Sequence, residues 1–196
     1  MKKYFLFDCE MGGASPKTSL LTLHGLVLDQ GLNVIDDISL MIKPNNGIYY
    51  VTAKAMEVNQ IDLAAHDKEA IPLFEAAKIF ENFVCKHSIG CDKMIPAGHN
   101  LSLDIRFCKR YFLKATNNAE GDDWNRFFSH RRVDTATLAH GLILAGKLPS
   151  VLECSLGSLA AHFELDYSGA HNAKFDAELT LEVLKRLIAL MKASQC

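Results

Sequence analysis

Long apolar runs, metal-spaced cysteines, phosphate-binding glycine loops and a surplus of positive charge are all missing from this 196-residue sequence, and each absence excludes something. No stretch approaches the roughly 20 apolar residues that span a bilayer. The apolar start Tyr4–Phe7 stops at Asp8, too short for the core of a secretory signal. The cysteines (Cys9, Cys85, Cys91, Cys108, Cys154 and Cys196) contain no C-x-x-C and no zinc-like spacing. Idle or buried thiols in a reducing cytoplasm are the expectation. Neither G-x-G-x-x-G nor G-x-x-x-x-G-K-[ST] occurs, so dinucleotide and P-loop binding have no support. With 21 Lys and Arg against 23 Asp and Glu, the net charge is -2. A protein that grips long duplex by neutralising phosphates carries a basic excess instead. Any nucleic-acid contact is therefore expected to be local, at a strand end. An acidic cleft that collects cations suits the same balance.

What is present is ordinary globular material, 49% hydrophobic and 22% charged, enough for one domain with its own core. No linker, repeat or low-complexity tract divides it. Tyr4–Phe7 reads as a buried strand that ends near Gly12-Gly13. Leu20–Leu28 and Val34–Ile42 alternate loosely on either side of the turn residues Asp29-Gln30-Gly31, as a strand and its hairpin partner. Thr52 is placed to cap a short helix ending at Asn59. Leu73, Phe74, Ala77, Phe80 and Val84 keep helical spacing across 71–84. Residues 93–97 read as a strand, 101–112 as a helix, 117–123 as a polar loop, 131–134 as a last strand and 135–145 as a helix. Ser155 caps a short helix ending at Phe163. The stripe Ala177, Leu181, Leu184, Ile188 and Met191 marks the clearest helix, 172–191. Strands first, then strands alternating with helices, predict an α/β domain with a mixed sheet.

Asp8 and Glu10 close the first strand two residues apart, so both side chains leave one face while Cys9 leaves the other. Two adjacent carboxylates on such a strand repel each other and lose solvation, and a bound divalent cation offsets both costs. The plainer alternative is a strand that has already ended, with two solvated acids. Asp104 follows a strand and the break Gly98-His99-Asn100, inside the first turn of the next helix. In a parallel arrangement that is the carboxyl edge of the sheet, where α/β proteins build sites. An acid there also simply favours the helix dipole. His171 falls in the loop before the last helix and Asp176 on its first turns, which lets an imidazole face a carboxylate.

FDCEMGG (Phe7–Gly13), HNLSLDIRF (His99–Phe107) and HNAKFDAELT (His171–Thr180) resemble, in order and internal spacing, the three motifs of the DEDDh (DnaQ-like) 3′→5′ exonucleases. Val133-Asp134-Thr135 and Ser155-Leu156-Gly157-Ser158-Leu159 also look like family segments, so the likeness covers almost the whole chain. The resemblance implies a ribonuclease H-like fold, a mixed five-stranded sheet flanked by helices, with residues 1–196 as a single exonuclease domain. It implies that Asp8, Glu10, Asp104 and Asp176 bind two Mg²⁺ or Mn²⁺ ions and that His171 is the general base. One departure is visible: many relatives have Thr-Thr-Gly after the first Glu, where this chain has Met11-Gly12-Gly13. The contact to the terminal nucleotide is expected to differ accordingly.

Phosphodiester hydrolysis needs a nucleophile formed near neutral pH and charge support on the leaving oxygen, which two cations about 4 Å apart provide. Hard cations take oxygen ligands, so four carboxylates and no thiolate fit, and Cys9 is expected to pack inside. Imidazole titrates near neutral pH and suits the water proton, so activity is expected to rise as His171 deprotonates. Met11, with the backbone of Gly12, either packs against the terminal sugar and base or fills core space beside a turn. Asn100 either contacts substrate or caps the helix of Asp104, capping being the commoner role. Arg126, His130, Arg131 and Arg132, with Lys109, Arg110 and Lys114, form either a grip on the strand backbone or a solvated charged face. The expected partners are single-stranded DNA or RNA 3′ ends, with no membrane. A homodimer or association with a polymerase stays open. The competing functions are a non-catalytic binding module of the same fold and a metal-dependent hydrolase of a small nucleotide ester.

Overall fold

A computed structural model describes residues 2–15, 17–88, 93–115 and 123–193. The elements run β1 (Tyr4–Met11), β2 (Leu20–Leu28), β3 (Val34–Lys43), α1 (Ala53–Asn59), α2 (Leu63–Glu69), β4 (Ile71–Pro72), α3 (Leu73–Ser88) and β5 (Ile95–Gly98). They continue with α4 (Ser102–Ala115), α5 (Asp123–Phe127), β6 (Val133–Asp134), α6 (Thr135–Leu144), α7 (Leu156–His162) and α8 (Ala173–Lys192). The strands form one sheet in the order β4-β3-β2-β1-β5-β6. β1, β2 and β3 pair antiparallel, while β5 runs parallel to β1, β6 to β5 and β4 to β3. The sheet is mixed, as expected, but has six strands and not five. The extra one is Ile71–Pro72, which sits at the sheet edge where a proline costs no ladder bond. Helical spacing from residue 71 therefore begins in fact at Leu73. The short helices α2 and α5 were not legible from periodicity. The polar segment 117–123 lies outside the described residues except for Asp123, which opens α5.

β1 shows why the sheet needs two cores. Its odd residues Phe5, Phe7, Cys9 and Met11 enter a core shared with α3, α4 and α5. There Phe5 stacks on Phe7 at 5.1 Å, Phe80 on Phe112 at 4.5 Å, and Trp124 on Phe128 at 4.2 Å between ring centroids. Leu6 leaves the opposite face and meets Leu26, Leu28, Ala97 and the α8 residues Ala177, Leu181 and Leu184. Further along α8, Val183 and Leu187 hold α6 and α7 through Ala139, Leu142 and Leu159. The apolar stripe of α8 thus carries one face of the domain, with Met191 at its end 40% exposed. The caps expected at Thr52 and Ser155 are in place, accepting from the amides of Ala55 and Ser158. Among the described residues, no helix is long and apolar enough to cross a membrane.

Gly25 of β2 lies under the Phe5 ring, and a Cβ there would fall 2.3 Å from its Cζ. Gly25→Ala is expected to destabilise the fold by about 1–3 kcal/mol, as overpacked cores do. Gly141, in α6, has nothing within 4 Å of a built Cβ, so Gly141→Ala is expected to stabilise by about 0.5–1 kcal/mol. Thermal unfolding of the two variants should therefore shift Tm in opposite directions; equal shifts would contradict the packing.

Candidate active site

Past Leu6, the face of β1 that α8 covers turns acidic. Asp8 and Glu10 lie within the strand, opposite His24 and Thr22 of β2, so the strand has not ended before them. The N-terminus of α8 reaches the same point. Asn172 caps it, accepting from the amides of Lys174 and Phe175, and Asp176 stands in the first turn. Carboxylate oxygens of Asp8, Glu10 and Asp176 all come within 4.8 Å of one another. Asp104 approaches from the first turn of α4, on the β5 side. Its Oδ1 accepts the amide of Cys9 at 3.1 Å, where β1 has run beyond its pairing with β5. Cys9 points the other way, packed 4.0 Å from the Sγ of Cys108. Asp104 and Asp176 are buried, and Asp8 and Glu10 are half-buried.

Four carboxylates in this space resist being charged together. Burial, and then the charges of Asp104, Glu10 and Asp176, hold the Asp8 carboxyl well above its usual range. Burial pushes Glu10 up to about 7, helped by Asp176 and Asp104. Burial also raises Asp104 to about 7, against the pull of its backbone hydrogen bonds. Asp176 is raised by burial and eased by the His171 amide. The Oδ1 of Asp176 is buried with no hydrogen-bond partner among the described residues. An all-oxygen donor set with one orphaned, buried oxygen fits a hard divalent cation, which supplies both the missing partner and the missing charge.

His171 lies in the loop before α8, as expected, at φ 66°. Its amide donates to the Oδ2 of Asp176 at 3.0 Å, which anchors the His171 backbone beside that acid while the residue stays exposed. Met11 and Asn100 line a cavity of about 620 Å³ together with Asp8, Glu10 and Asp104. Most of Met11 nevertheless fills the aromatic core, with only its edge on the cavity. Asn100 sits at φ 52°, whereas a helix cap is extended, so the capping role is corrected. The Gly12 amide donates to the Ser19 carbonyl at 2.8 Å and its carbonyl accepts from Thr52 at 2.7 Å. A Cβ on it would lie 2.5 Å from the Tyr50 carbonyl, so close backbone packing accounts for a glycine here. Two residues not expected as site residues also support this region: Asn59 on the cavity wall and Asp134 behind it. Asn59 donates to the Met11 carbonyl at 3.3 Å, at the irregularity in β1. Asp134 holds the turn before α4 by accepting the Leu101 amide at 2.9 Å while its other oxygen caps α6.

An acid whose folded pKa is raised binds more protons folded than unfolded, so its contribution to stability falls as pH rises from the unfolded value, about 4, through the folded one. In EDTA, Tm is expected to fall between pH 5 and pH 8. Mg²⁺ or Mn²⁺ at pH 8 should recover it, and Asp104→Asn should flatten the fall by at least about 1 kcal/mol. A calorimetric pH series on both proteins checks this; the same slope for both would contradict it.

The Exonuclease family model RNase_T matches residues 5–184. DNA polymerase III PolC-type of Thermotoga maritima is 28% identical over 189 residues, which are 96% of this chain and 12% of that protein. Its counterpart in Lactococcus lactis is 25% identical over 182 residues, 92% of this chain and 10% of that protein. The chain thus spans about a tenth of the length of these relatives. E. coli Exonuclease I in complex with a dT13 oligonucleotide superposes with a TM-score of 0.78 at 15% identity, covering 98% of this chain and 42% of that one. A zinc-bound complex of the same enzyme with single-stranded DNA gives 0.79 at 18% identity, covering 100% and 41%. These structures share the ribonuclease H-like fold of this chain, and with its family model matched from end to end of that fold, the chain belongs to the RNase_T exonuclease family.

Proposed function

We propose that the chain removes nucleotides one at a time from the 3′ ends of single-stranded DNA or RNA, releasing nucleoside 5′-monophosphates. The observation that carries this is the convergence of Asp8, Glu10 and Asp176 oxygens within 4.8 Å, with Asp104 bonded to the adjoining backbone. Asp8, Glu10 and Asp176 would hold one Mg²⁺ or Mn²⁺, and Asp8 with Asp104 a second. Such ions, when bound, acidify water and support the leaving 3′ oxygen. His171 takes the proton of the attacking water, its backbone anchored beside the acids by the hydrogen bond from its amide to Asp176. Met11 and Asn100, on the cavity wall, position the terminal nucleotide. The cavity is of a size that suits one nucleotide.

Exonuclease I binds oligonucleotides in the neighbouring structures, which supports a single-stranded substrate. The PolC-type relatives support association with a polymerase. A cytoplasmic setting agrees with Cys9, Cys85, Cys108 and Cys154, all free thiols. Retention of all four acids and His171 favours catalysis over a binding module of the same fold.

The test uses 5′-labelled DNA and RNA oligomers with Mg²⁺ or Mn²⁺. A ladder shortening from the 3′ end is expected, abolished by EDTA and by Asp8→Ala, with His171→Ala slowed roughly 100-fold or more. Cleavage of a mononucleotide ester without any ladder would instead favour the small-ester hydrolase.

A further inference from the structure

On the far side of the β1 end lies a second hollow, of about 400 Å³, whose described lining includes Lys17, Ile48, Tyr50 and Arg110 and no acid. In a chain with net charge -2, an acid-free hollow beside an acidic site is a local reversal. Lys17 and Arg110 are exposed and belong to no ion pair among the described residues, and the Arg110 guanidinium lies 5.7 Å from the centroid of the Tyr111 ring in the same hollow. Three other cations singled out from the sequence contact different residues. Arg126 lies 3.8 Å from Glu81, Lys109 sits over Trp124, and Arg132 donates to Ser102. Ile48 and Tyr50 are 53% and 56% exposed, an unusual placement for two large apolar side chains on one loop.

This loop is tied firmly to the acid site. The Tyr50 carbonyl accepts the Ser19 amide at 2.8 Å, and the Ser19 carbonyl accepts the Gly12 amide at 2.8 Å. The Tyr50 amide in turn donates to the Ser19 hydroxyl oxygen at 2.9 Å. Gly12, two residues beyond Glu10, is pressed against the Tyr50 carbonyl. Two residues of strand plus that contact put Tyr50 on the order of 10 Å from the acids. An extended single strand, whose backbone repeat is roughly twice the 3.4 Å duplex rise, covers that span between the second and third nucleotides from its end.

We propose that this hollow is an upstream subsite for the strand whose 3′ end lies among the acids, a reading that rests on the exonuclease function. A base about three nucleotides from the end stacks on Tyr50, with Ile48 beside it, and Lys17 and Arg110 pair with the adjoining phosphates. An exposed ring flanked by cations is the general means of holding a single strand without reading its sequence. Short oligomers cannot reach it. The subsite therefore makes the enzyme favour strands longer than about four nucleotides.

The experiment compares kcat/KM for a dinucleotide and a 12-mer, as DNA and as RNA, in the native chain, Tyr50→Ala, Tyr50→Phe and the double variant Lys17→Gln/Arg110→Gln. Tyr50→Ala is expected to lose about tenfold on the 12-mer, mostly in KM, and nothing on the dinucleotide. Tyr50→Phe keeps the native rates, since stacking needs the ring and not the hydroxyl. The double variant lowers the salt dependence for the 12-mer by about two phosphate contacts. Equal losses on both lengths, or none on the 12-mer, overturn the subsite. A native chain that shortens neither oligomer overturns the exonuclease reading itself, a result distinct from loss of length preference.

Discussion

The burial of four carboxylates, Asp8, Glu10, Asp104 and Asp176, in one place is the constraint around which the rest of the molecule is arranged. The acids come to one place from three elements, β1, α4 and α8, and each is held there at a cost. Asp8 and Glu10 share one face of β1, Asp104 is bonded to the Cys9 amide, and Asp176 accepts the amide of His171. Burial, the first cause of the raised pKa in each of the four, is what the fold must overcome. Solvated acids at a frayed strand end would not require this support. Asp176 Oδ1 is one of four buried side-chain atoms without a hydrogen-bond partner among the described residues, and the one that belongs to the acid cluster, where a cation would supply the partner.

The support comes from both cores. On one side, the Phe5, Phe7, Phe80 and Phe112 stacks and the packed Cys9 keep β1 flat against α3 and α4, so Asp104 meets the strand at a fixed height. On the other, the apolar stripe of α8 aligns its first turn with the acidic end of β1. Smaller contacts complete the frame: Asn59 at the Met11 carbonyl, Asp134 at the Leu101 amide, and Gly12 against Tyr50. Gly12 links two functions. Its close packing ends β1 beside the acids and at the same time sets the aromatic loop of the second hollow in place.

Much of this was legible in the sequence wherever a strong local signal existed. Alternation gave β2 its bounds, the apolar stripe gave α8 nearly its full length, and Thr52 and Ser155 marked their helices because a side-chain oxygen meets an orphan amide there. Parity along a strand put Asp8 and Glu10 on one face and Cys9 on the other. Features without a local signal were not legible. β4 is two residues whose pairing depends on the distant Ile42 and Lys43. Asn100 looked like a cap because asparagine often is one, but it takes the left-handed conformation that asparagine also tolerates. The Gly12 backbone carried no local signal either, and only the path of residues 49–52 shows that it is already bonded. The basic cluster of the sequence scattered, because helix phase and neighbours decide which cations remain unpaired.

The most direct measurement counts divalent ions at the acids. Mn²⁺ titration at pH 8, read by electron paramagnetic resonance, should give two bound ions per chain in the native protein and one in Asp104→Asn, since Asp8, Glu10 and Asp176 remain together. No binding, or the same stoichiometry in both proteins, would contradict the assignment of these four carboxylates to a two-cation site.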